Sequence, residues 1–467
     1  MYCFYDLETT GTNHCFDQIL QFAAITTDEH FTETGRESFF VRLREDVFPA
    51  PGAVLTTRIS PQKYPAGRSE YAALSAIHQL VNRRGTISTG YNSLSFDDLF
   101  LRFGFYRNLL SPYTHQRANG CGRLDLYPVT ALFAIYKPEA LEWPVADGKI
   151  RLKLELLSER NQLATGQAHD AETDVAALIA LTKKLAAHPE VFAYALGFFR
   201  KTEDEHRFLR LPVVEIGGRS CREAILISPR LGSDRQFQVP VVHVGEDRFG
   251  RQVWLELDGN PEAEGDESGF RKRLHRKKPG EPPFLLPPSK QRLGAERLEQ
   301  ARVTKRLWQR QTGLWETLER SLTAPEMPQS GLLDPDAALY EKGFFTRPEE
   351  AFCRKFHETG PSAQGLLLDN CPSERVRVLT ERVLWRNVPD LYPGLLEASR
   401  RQRRQGLLTV DERGEPPRTL ADVLREVTEI RETRAVTAAE DRLLTELTDY
   451  LAERRKALNP PQQMALW

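Results

Sequence analysis

Two carboxylates near the start of the chain have a spacing that suits metal binding. Asp6 and Glu8 are separated by one residue. In a strand, residues i and i+2 project from the same face, so the two acids would lie side by side. Adjacent carboxylates repel unless a cation lies between them, and Mg²⁺ and Mn²⁺ prefer oxygen ligands. The pair therefore predicts a divalent-metal site, and the alternative is two solvated acids at an exposed strand end.

Two further segments carry acids where helices are predicted to begin. Asp97 and Asp98 open one helix, and an aspartate at that place is usually an N-cap. His169 precedes Asp174 by five residues at the entry to an amphipathic helix. A histidine at a helix start is often a surface residue, and Asp170 could be the N-cap. Each segment alone is therefore compatible with a structural role.

The elements that would position these residues indicate an α/β domain over residues 1–188. Strand-like runs lie at 2–5, 19–25 and 86–89, and helical spacing is found over 99–110 and 175–185. In the last helix, apolar residues recur at intervals near three and four, which predicts a stripe that faces the core. The members of that stripe are Val175, Leu178, Ile179 and Leu185.

The pattern of apolar and charged residues changes twice in the remainder of the chain. Short β-type runs between glycine-containing turns over 208–257 predict a small β domain, either a sandwich or a barrel. Lys and Arg dominate 271–310, and a proline-rich stretch over 279–288 cannot be a helix interior. Residues 336–458 are charge-rich with apolar residues at helical spacing, as in Val423, Leu424, Val427 and Ile430. The predicted segments are 1–188, 189–335, 336–458 and a tail, 459–467.

Composition excludes several classes of protein. Hydrophobic residues make up 40% of the 467, which is enough for several cores and excludes wholesale disorder. Lys plus Arg number 64 against 65 Asp plus Glu, which excludes a uniformly basic nucleic-acid coat protein. We find no run of 18 apolar residues, so no transmembrane helix is expected. The first residues do not form a signal peptide, and the six scattered cysteines favour reduced thiols, so we expect a cytoplasmic protein.

The four acids and the histidine follow the order of motifs in one superfamily. The sequence resembles the DEDDh (DnaQ-like) 3′→5′ exonucleases: Asp6 and Glu8 match the first motif, Asp97 the second, and His169 and Asp174 the third. Other segments resemble bacterial exonuclease I. These segments are 21–25, 51–56, 59–62, 90–92, 96–98, 105–108, 123–126 and 339–345.

The resemblance implies both an architecture and an activity. The expected fold is a ribonuclease H-like α/β exonuclease domain, an SH3-like β domain and a helical C-terminal domain. The expected enzyme is a processive, single-strand-specific 3′→5′ exodeoxyribonuclease that releases 5′-mononucleotides in DNA repair and recombination. The alternatives are a DEDDh exonuclease that acts on RNA and a non-catalytic, DNA- or clamp-associated scaffold.

The resemblance also implies a two-metal mechanism. Asp6, Glu8, Asp97 and Asp174 would hold two Mg²⁺ ions, with Mn²⁺ as a substitute. One ion would lower the pKa of a bound water and the other would stabilise the leaving 3′-oxygen. His169 would be the general base, a role that suits a side chain with an ordinary pKa near 6.5.

Several residues are candidates for contact with the DNA. Those expected near the terminal nucleotide are Glu8, Thr9, Gly11, Asn92, Phe96, Arg107 and Arg123. Phe105 is expected in the core, as are Trp308 and Trp315. Residues 271–273 and 276–278 form a basic run that either binds the phosphate backbone or is a solvated loop, and 400–404 holds a second basic cluster with the same alternatives.

The end of the chain carries a separate hypothesis about partners. Gln463, Met464, Leu466 and Trp467 resemble the bacterial sliding-clamp-binding pentapeptide, in which spaced apolar anchors fill a preformed pocket. The alternative is a tail packed on its own domain or frayed. The resemblance to exonuclease I separately implies contact with the acidic tail of single-strand DNA-binding protein. We expect no membrane association and a monomer.

Overall fold

The computed structural model describes residues 1–164, 171–258, 271–289, 293–310, 314–323, 332–404 and 409–458. His169 and the tail residues 463–467 lie outside this part of the chain. The described residues form two compact units. Unit 1 draws on the ranges 1–122, 166–175 and 329–467, and unit 2 on 123–165 and 176–328. Both units are therefore assembled from segments that are discontinuous in sequence.

The N-terminal part of the chain contains a five-stranded sheet. Its strands are β1 (Tyr2–Thr9), β2 (Ile19–Thr27), β3 (Glu33–Phe40), β4 (Ile87–Gly90) and β5 (Gly122–Asp125). The strand order is β3-β2-β1-β4-β5, in which β1 runs antiparallel to β2 and parallel to β4. Every residue of β2 is buried, whereas β3 is half-exposed at one edge. The predicted strands at 2–5, 19–25 and 86–89 are confirmed, and β1 continues through the two predicted carboxylates.

Helices alternate with these strands along the chain and follow them. They are α1 (Pro51–Thr57), α2 (Glu70–Val81), α3 (Asp97–Arg107), α4 (Thr114–Arg117), α5 (Leu126–Tyr136), α6 (Leu154–Asn161), α7 (Ala171–Ala186), α8 (Pro189–Leu196) and α9 (Lys201–Leu209), with a short hairpin of β6 (Val145–Ala146) and β7 (Lys149–Ile150). In α7, Val175, Leu178, Leu181 and Leu185 are fully buried, so the predicted stripe is confirmed. Ile179 is half-buried at its margin.

Unit 2 contains a second, antiparallel sheet. Its strands are β8 (Val213–Ile216), β9 (Arg219–Ile227), β10 (Gln238–Glu246), β11 (Gln252–Glu256), β12 (Leu274–Lys277) and β13 (Phe284–Leu286). The order is β12-β11-β10-β9-β13, with β8 paired to β9. Among the described residues, the strands are followed by helices α10 (Ala295–Arg310) and α11 (Leu314–Thr323). Trp308 is buried in a cluster with Val253 and Leu255, as predicted.

The C-terminal segment is mainly helical and lies in unit 1. Its elements are β14 (Leu332–Leu333), α12 (Arg347–Glu358), α13 (Pro361–Gln364), α14 (Glu374–Asn387), α15 (Pro393–Arg404), β15 (Thr409–Val410), α16 (Leu420–Thr433) and α17 (Ala438–Leu458). Val423 and Val427 of α16 are buried and Ile430 is partly buried beside them, in a cluster that includes Leu20 of β2. Leu424, which belongs to the same helically spaced set, is 41% exposed.

The helices also bear on the question of a membrane. Among the residues that the structure describes, no helix is both long enough and apolar enough to cross a bilayer.

Candidate active site

Three of the predicted acids converge in unit 1. Carboxylate oxygens of Asp6, Glu8 and Asp174 lie within 4.8 Å of one another. Asp6 and Glu8 share one face of β1, as the spacing i and i+2 requires. Glu8 is 7% exposed, whereas the other two are half-buried. The three acids therefore form a partly enclosed cluster whose mutual repulsion a bound cation would offset.

Asp174 reaches the cluster because of where α7 begins. It lies in the first turn of that helix, where backbone N–H groups and the helix dipole favour a negative charge. The apolar stripe that begins at Val175 fixes the rotation of α7, since those side chains must face the core. The sequence signal for the helix and the position of the acid are thus linked.

Asp97 belongs to the same edge of the sheet. Phe4 of β1 pairs with Thr89 of β4 in parallel, so the carboxyl ends of both strands lie at one edge. A short turn after β4 leads to Asp97, which is the first residue of α3 and is 6% exposed. The neighbouring Asp98 has a different role. It is fully buried, accepts a hydrogen bond from Nε2 of His115 at 2.9 Å and pairs with Arg102. We therefore assign Asp98 to the fold.

A tight loop follows Glu8 and is held by its own side chains. The Oγ1 hydroxyl of Thr9 donates to the Gly11 carbonyl at 2.7 Å. Thr10 Oγ1 donates to Asp17 Oδ1 at 3.0 Å, and the backbone N–H of Asn13 donates to Asp17 Oδ2 at 2.9 Å. A Cβ atom at Gly11 would lie 2.3 Å from the Asp17 carboxylate. Glycine is required here by Asp17, which the sequence alone did not indicate.

The prediction that Arg107 contacts substrate is wrong. Its side chain is fully buried and donates to Glu70 at 2.8 Å and 3.1 Å. It also donates to the backbone carbonyls of His14, Cys15 and Asp17 at 3.3–3.4 Å. Arg107 thus holds the loop that follows Glu8 from inside the protein.

Glu70 is the counterion at the centre of this arrangement. Burial alone would raise its pKa, but Arg107 and Arg44 outweigh burial and lower the pKa to about 2. Arg44 donates to both carboxylate oxygens, at 2.8 Å and 3.0 Å. Neither Glu70 nor Asp17 was predicted to matter, because their partners are distant in sequence and no motif marks them.

The remaining predicted contacts are placed as follows. Asn92 is exposed in a left-handed conformation (φ 59°) just after β4. Phe96 is half-buried, and its ring centroid lies 5.0 Å from that of Phe100. Arg123 lies in unit 2, where it donates to Glu281 at 2.7 Å. Phe105 is fully buried, as expected.

Two of the six basic residues in the run in unit 2 are buried in structural contacts. Lys277 is buried and pairs with Asp204 at 2.7 Å. Arg273 is also buried, with its guanidinium 5.7 Å from the centroid of the Trp308 ring. Four members of the run are exposed: Arg271, Lys272, Arg276 and Lys278. The hypothesis of a continuous DNA-binding run is therefore wrong for its two buried members and stays a prediction for these four.

The second basic cluster also makes structural contacts. Arg400 pairs with Glu45 at 2.7 Å, within unit 1.

The donor atoms of the acid cluster fit a hard divalent cation. All of them are carboxylate oxygens, the ligands that Mg²⁺ and Mn²⁺ prefer. Their close approach at the end of a buried strand forms a potential binding site for a cation. Asp97 would join them from the same sheet edge.

Comparison with known proteins finds similarity in the N-terminal part of the chain. Residues 3–182 match the family model described as Exonuclease. Exodeoxyribonuclease I of Escherichia coli (strain K12) is 36% identical over 228 residues, which is 46% of this chain and 47% of that protein. The sequence match thus spans about half the length of this relative.

The structural likeness extends over nearly the whole chain. The crystal structure of E. coli exonuclease I in complex with a dA16 oligonucleotide has a TM-score of 0.84 and 26% identity, covering 97% of this chain and 99% of that one. The zinc-bound form of the E. coli complex with single-stranded DNA is equally similar, with a TM-score of 0.84 at the same identity and coverage.

Proposed function

We propose, from the premise that residues 3–182 form a domain of the exonuclease family, that this chain hydrolyses single-stranded DNA from its 3′ end and releases 5′-mononucleotides. The observation that carries the proposal is the convergence of Asp6, Glu8 and Asp174 at the end of β1. A scaffold protein would have no chemical need to hold three repelling carboxylates together. We propose that the enzyme acts in DNA repair and recombination in the cytoplasm.

The acids would hold the metal and thereby position the reaction. Asp6, Glu8, Asp97 and Asp174 are the proposed ligands, and Mg²⁺ is the proposed ion. A divalent cation held there supplies Lewis-acid stabilisation for phosphodiester hydrolysis. His169 would accept the proton of the attacking water, since imidazole titrates in the range that general-base catalysis requires.

Substrate contact would come from the residues at the same sheet edge. The loop of Thr9 and Gly11 follows β1 directly, and hydrogen bonds from Thr9 to the Gly11 carbonyl and from Thr10 and Asn13 to Asp17 fix its conformation. Asn92 and Phe96 lie on the turn between β4 and the helix that begins with Asp97. The preference for single-stranded DNA is supported by the oligonucleotide complexes of the E. coli enzyme.

A nuclease assay with matched variants tests this proposal. The substrates are a 5′-labelled single-stranded DNA, its duplex and its RNA equivalent, each with Mg²⁺ and with EDTA. We expect a ladder that shortens from the 3′ end of single-stranded DNA only, and only with metal. Asp174→Asn should lower the rate at least about 100-fold, because several kcal/mol of charge stabilisation depend on the metal. Glu172→Gln is the control, since Glu172 is exposed on the same turn of α7.

Each other outcome has a definite meaning. Preferential shortening of RNA would support the alternative that the enzyme is an exonuclease that acts on RNA. Full activity of Asp174→Asn would refute the assignment of the ligands. No metal-dependent shortening of any substrate by folded protein would favour the scaffold hypothesis.

Two protein partners complete the proposal. Residues 463–467 would bind the sliding clamp, on the strength of their pattern of apolar anchors. The acidic tail of single-strand DNA-binding protein is the second partner, and it rests on the resemblance to exonuclease I alone. We propose that the chain acts as a monomer.

A further inference from the structure

A second cluster of metal-ligating side chains lies outside the acid cluster. Among the described residues, His14, Cys15 and Glu412 have one potential ligand atom each within 4.8 Å of the others. His14 and Cys15 are buried, at 6% and 1% exposure, on the loop that follows β1. Glu412 lies on the turn that follows β15. All three residues belong to unit 1, although Glu412 lies nearly 400 positions after His14 and Cys15 in the sequence.

The donor set differs in kind from that of the active site. It combines a thiol, an imidazole and a carboxylate, which are ligands of zinc and related borderline cations rather than of Mg²⁺. Nε2 of His14 and Oε1 of Glu412 are 3.3 Å apart. In a tetrahedral zinc site, nitrogen and oxygen ligands lie about 3.4 Å apart, given metal–ligand bonds of about 2.1 Å. The two atoms are within hydrogen-bonding distance as they stand, and the same separation would suit a shared ion.

Glu412 offers a further indication. Its second carboxylate oxygen, Oε2, is buried and has no hydrogen-bond partner among the residues that the structure describes. A buried carboxylate oxygen without a partner is costly, so it requires a compensating charge or donor. A cation between Glu412 and Cys15 would supply that compensation.

Independent contacts fix the two segments that carry the ligands. Asn13 Nδ2 donates to Asp411 Oδ2 at 2.8 Å, and Arg418 donates to Asp17 Oδ1 at 3.2 Å. Within the turn, Asp411 Oδ1 accepts backbone hydrogen bonds at 2.8–2.9 Å. Arg107 holds the carbonyls of both loop ligands, as described above. The ligand geometry is thus set by the fold before any ion binds.

We propose that His14, Cys15 and Glu412 bind a zinc-class divalent cation, with water as the fourth ligand. The cysteine binds as thiolate, so its proton is released to solvent when the ion enters. The ion would tie the loop after the catalytic strand to the turn before α16. It is distinct from the proposed active-site metal in both ligands and residues.

Cobalt(II) is the probe that separates the two sites. A thiolate bound to cobalt gives an intense charge-transfer band in the near ultraviolet, which a site made only of carboxylates cannot give. The full-length chain carrying Asp6→Asn is titrated with Co²⁺ after chelation, so that the carboxylate site is weakened. We expect a thiolate band that saturates at one equivalent of cobalt and is displaced by Zn²⁺.

Variants at the ligands assign the band. Cys15→Ser should abolish the thiolate band. Cys353→Ser is the matched control, since Cys353 is similarly buried in the same apolar cluster but is not one of the three ligands, and it should retain the band. His14→Gln keeps the thiol and should weaken cobalt affinity at least about 10-fold. Circular dichroism establishes that each variant is folded, and His14→Gln decides the matter if Cys15→Ser does not fold.

Three results would overturn the proposal. They are the absence of a thiolate band in folded Asp6→Asn protein with excess cobalt, a band that survives Cys15→Ser, and unchanged cobalt affinity in His14→Gln. None of these results depends on nuclease activity, so failure of this site and failure of the proposed exonuclease are separable.

Discussion

Replacing Glu70 by glutamine should remove the central charge of the buried cluster that holds the loop after Glu8. The pKa of Glu70 falls from its ordinary 4.5 to about 2, since Arg107 and Arg44 together outweigh the effect of burial. Glu70 is fully buried, and a depression of this size corresponds to about 3 kcal/mol of folding free energy near pH 7. The same magnitude is typical when one member of a buried ion pair is removed.

The pH dependence of this loss has a definite sign. A carboxyl group whose pKa is lowered on folding contributes its full stability above the unfolded-state pKa and loses it as pH falls toward the folded-state value. The difference between wild type and Glu70→Gln should therefore be constant from about pH 7 to about pH 5.5. It should then shrink as the pH is lowered from 4.5 toward 2.

Urea unfolding at several pH values measures this difference directly. Following fluorescence and circular dichroism together shows whether the two units unfold in one transition. Glu33→Gln is the matched control, since Glu33 pairs with Arg36 on an exposed edge and should give a change near zero. A loss below about 1 kcal/mol in Glu70→Gln, or one that declines already between pH 7 and 5.5, would refute the assignment.

Three further changes test other parts of the structure. Gly11→Ala would place a Cβ atom 2.3 Å from a carboxylate oxygen and should cost about 1–3 kcal/mol, whereas Gly122→Ala has open space and should leave the melting temperature nearly unchanged. The double change Arg271→Glu/Lys272→Glu should weaken binding of single-stranded DNA and reduce the salt slope by about 0.7 per lost phosphate contact; an unchanged slope would make these residues a solvated surface. Deleting 463–467 should abolish capture by the sliding clamp and spare activity on naked oligonucleotides, so clamp binding that persists would exclude the tail as the main anchor.

Local patterns predicted the core of the candidate site. Strand alternation indicated that Asp6 and Glu8 share a face, and the apolar stripe of α7 indicated where Asp174 would lie. Both patterns depend on residues that are near one another in sequence, so they are legible without the fold. The edge strand β3 was missed because its residues, Glu33–Phe40, are largely polar and half-exposed, which removes the apolar signal.

Long-range ion pairs could not be predicted in the same way. Arg107 looks like a substrate-side arginine until Glu70, 37 positions away, is found beside it. Lys277 and Arg273 belong to a basic run in the sequence, but both are buried in the fold, and Lys277 pairs with Asp204 of a distant helix. The sequence shows the charge of each residue, but its ion-pair partner is determined by the tertiary fold.

The discontinuity of unit 1 has a consequence for how the chain is made. Leu20 and Val54, which emerge early from the ribosome, belong to a buried cluster completed by Val427 and Leu447. At translation rates of about 5–20 residues per second, the early residues wait tens of seconds for these partners. During that interval an apolar face of the nascent sheet is uncovered, which makes it a substrate for chaperones. Folding of this unit is therefore completed late in synthesis, and a fragment ending near residue 188 would lack part of its own core.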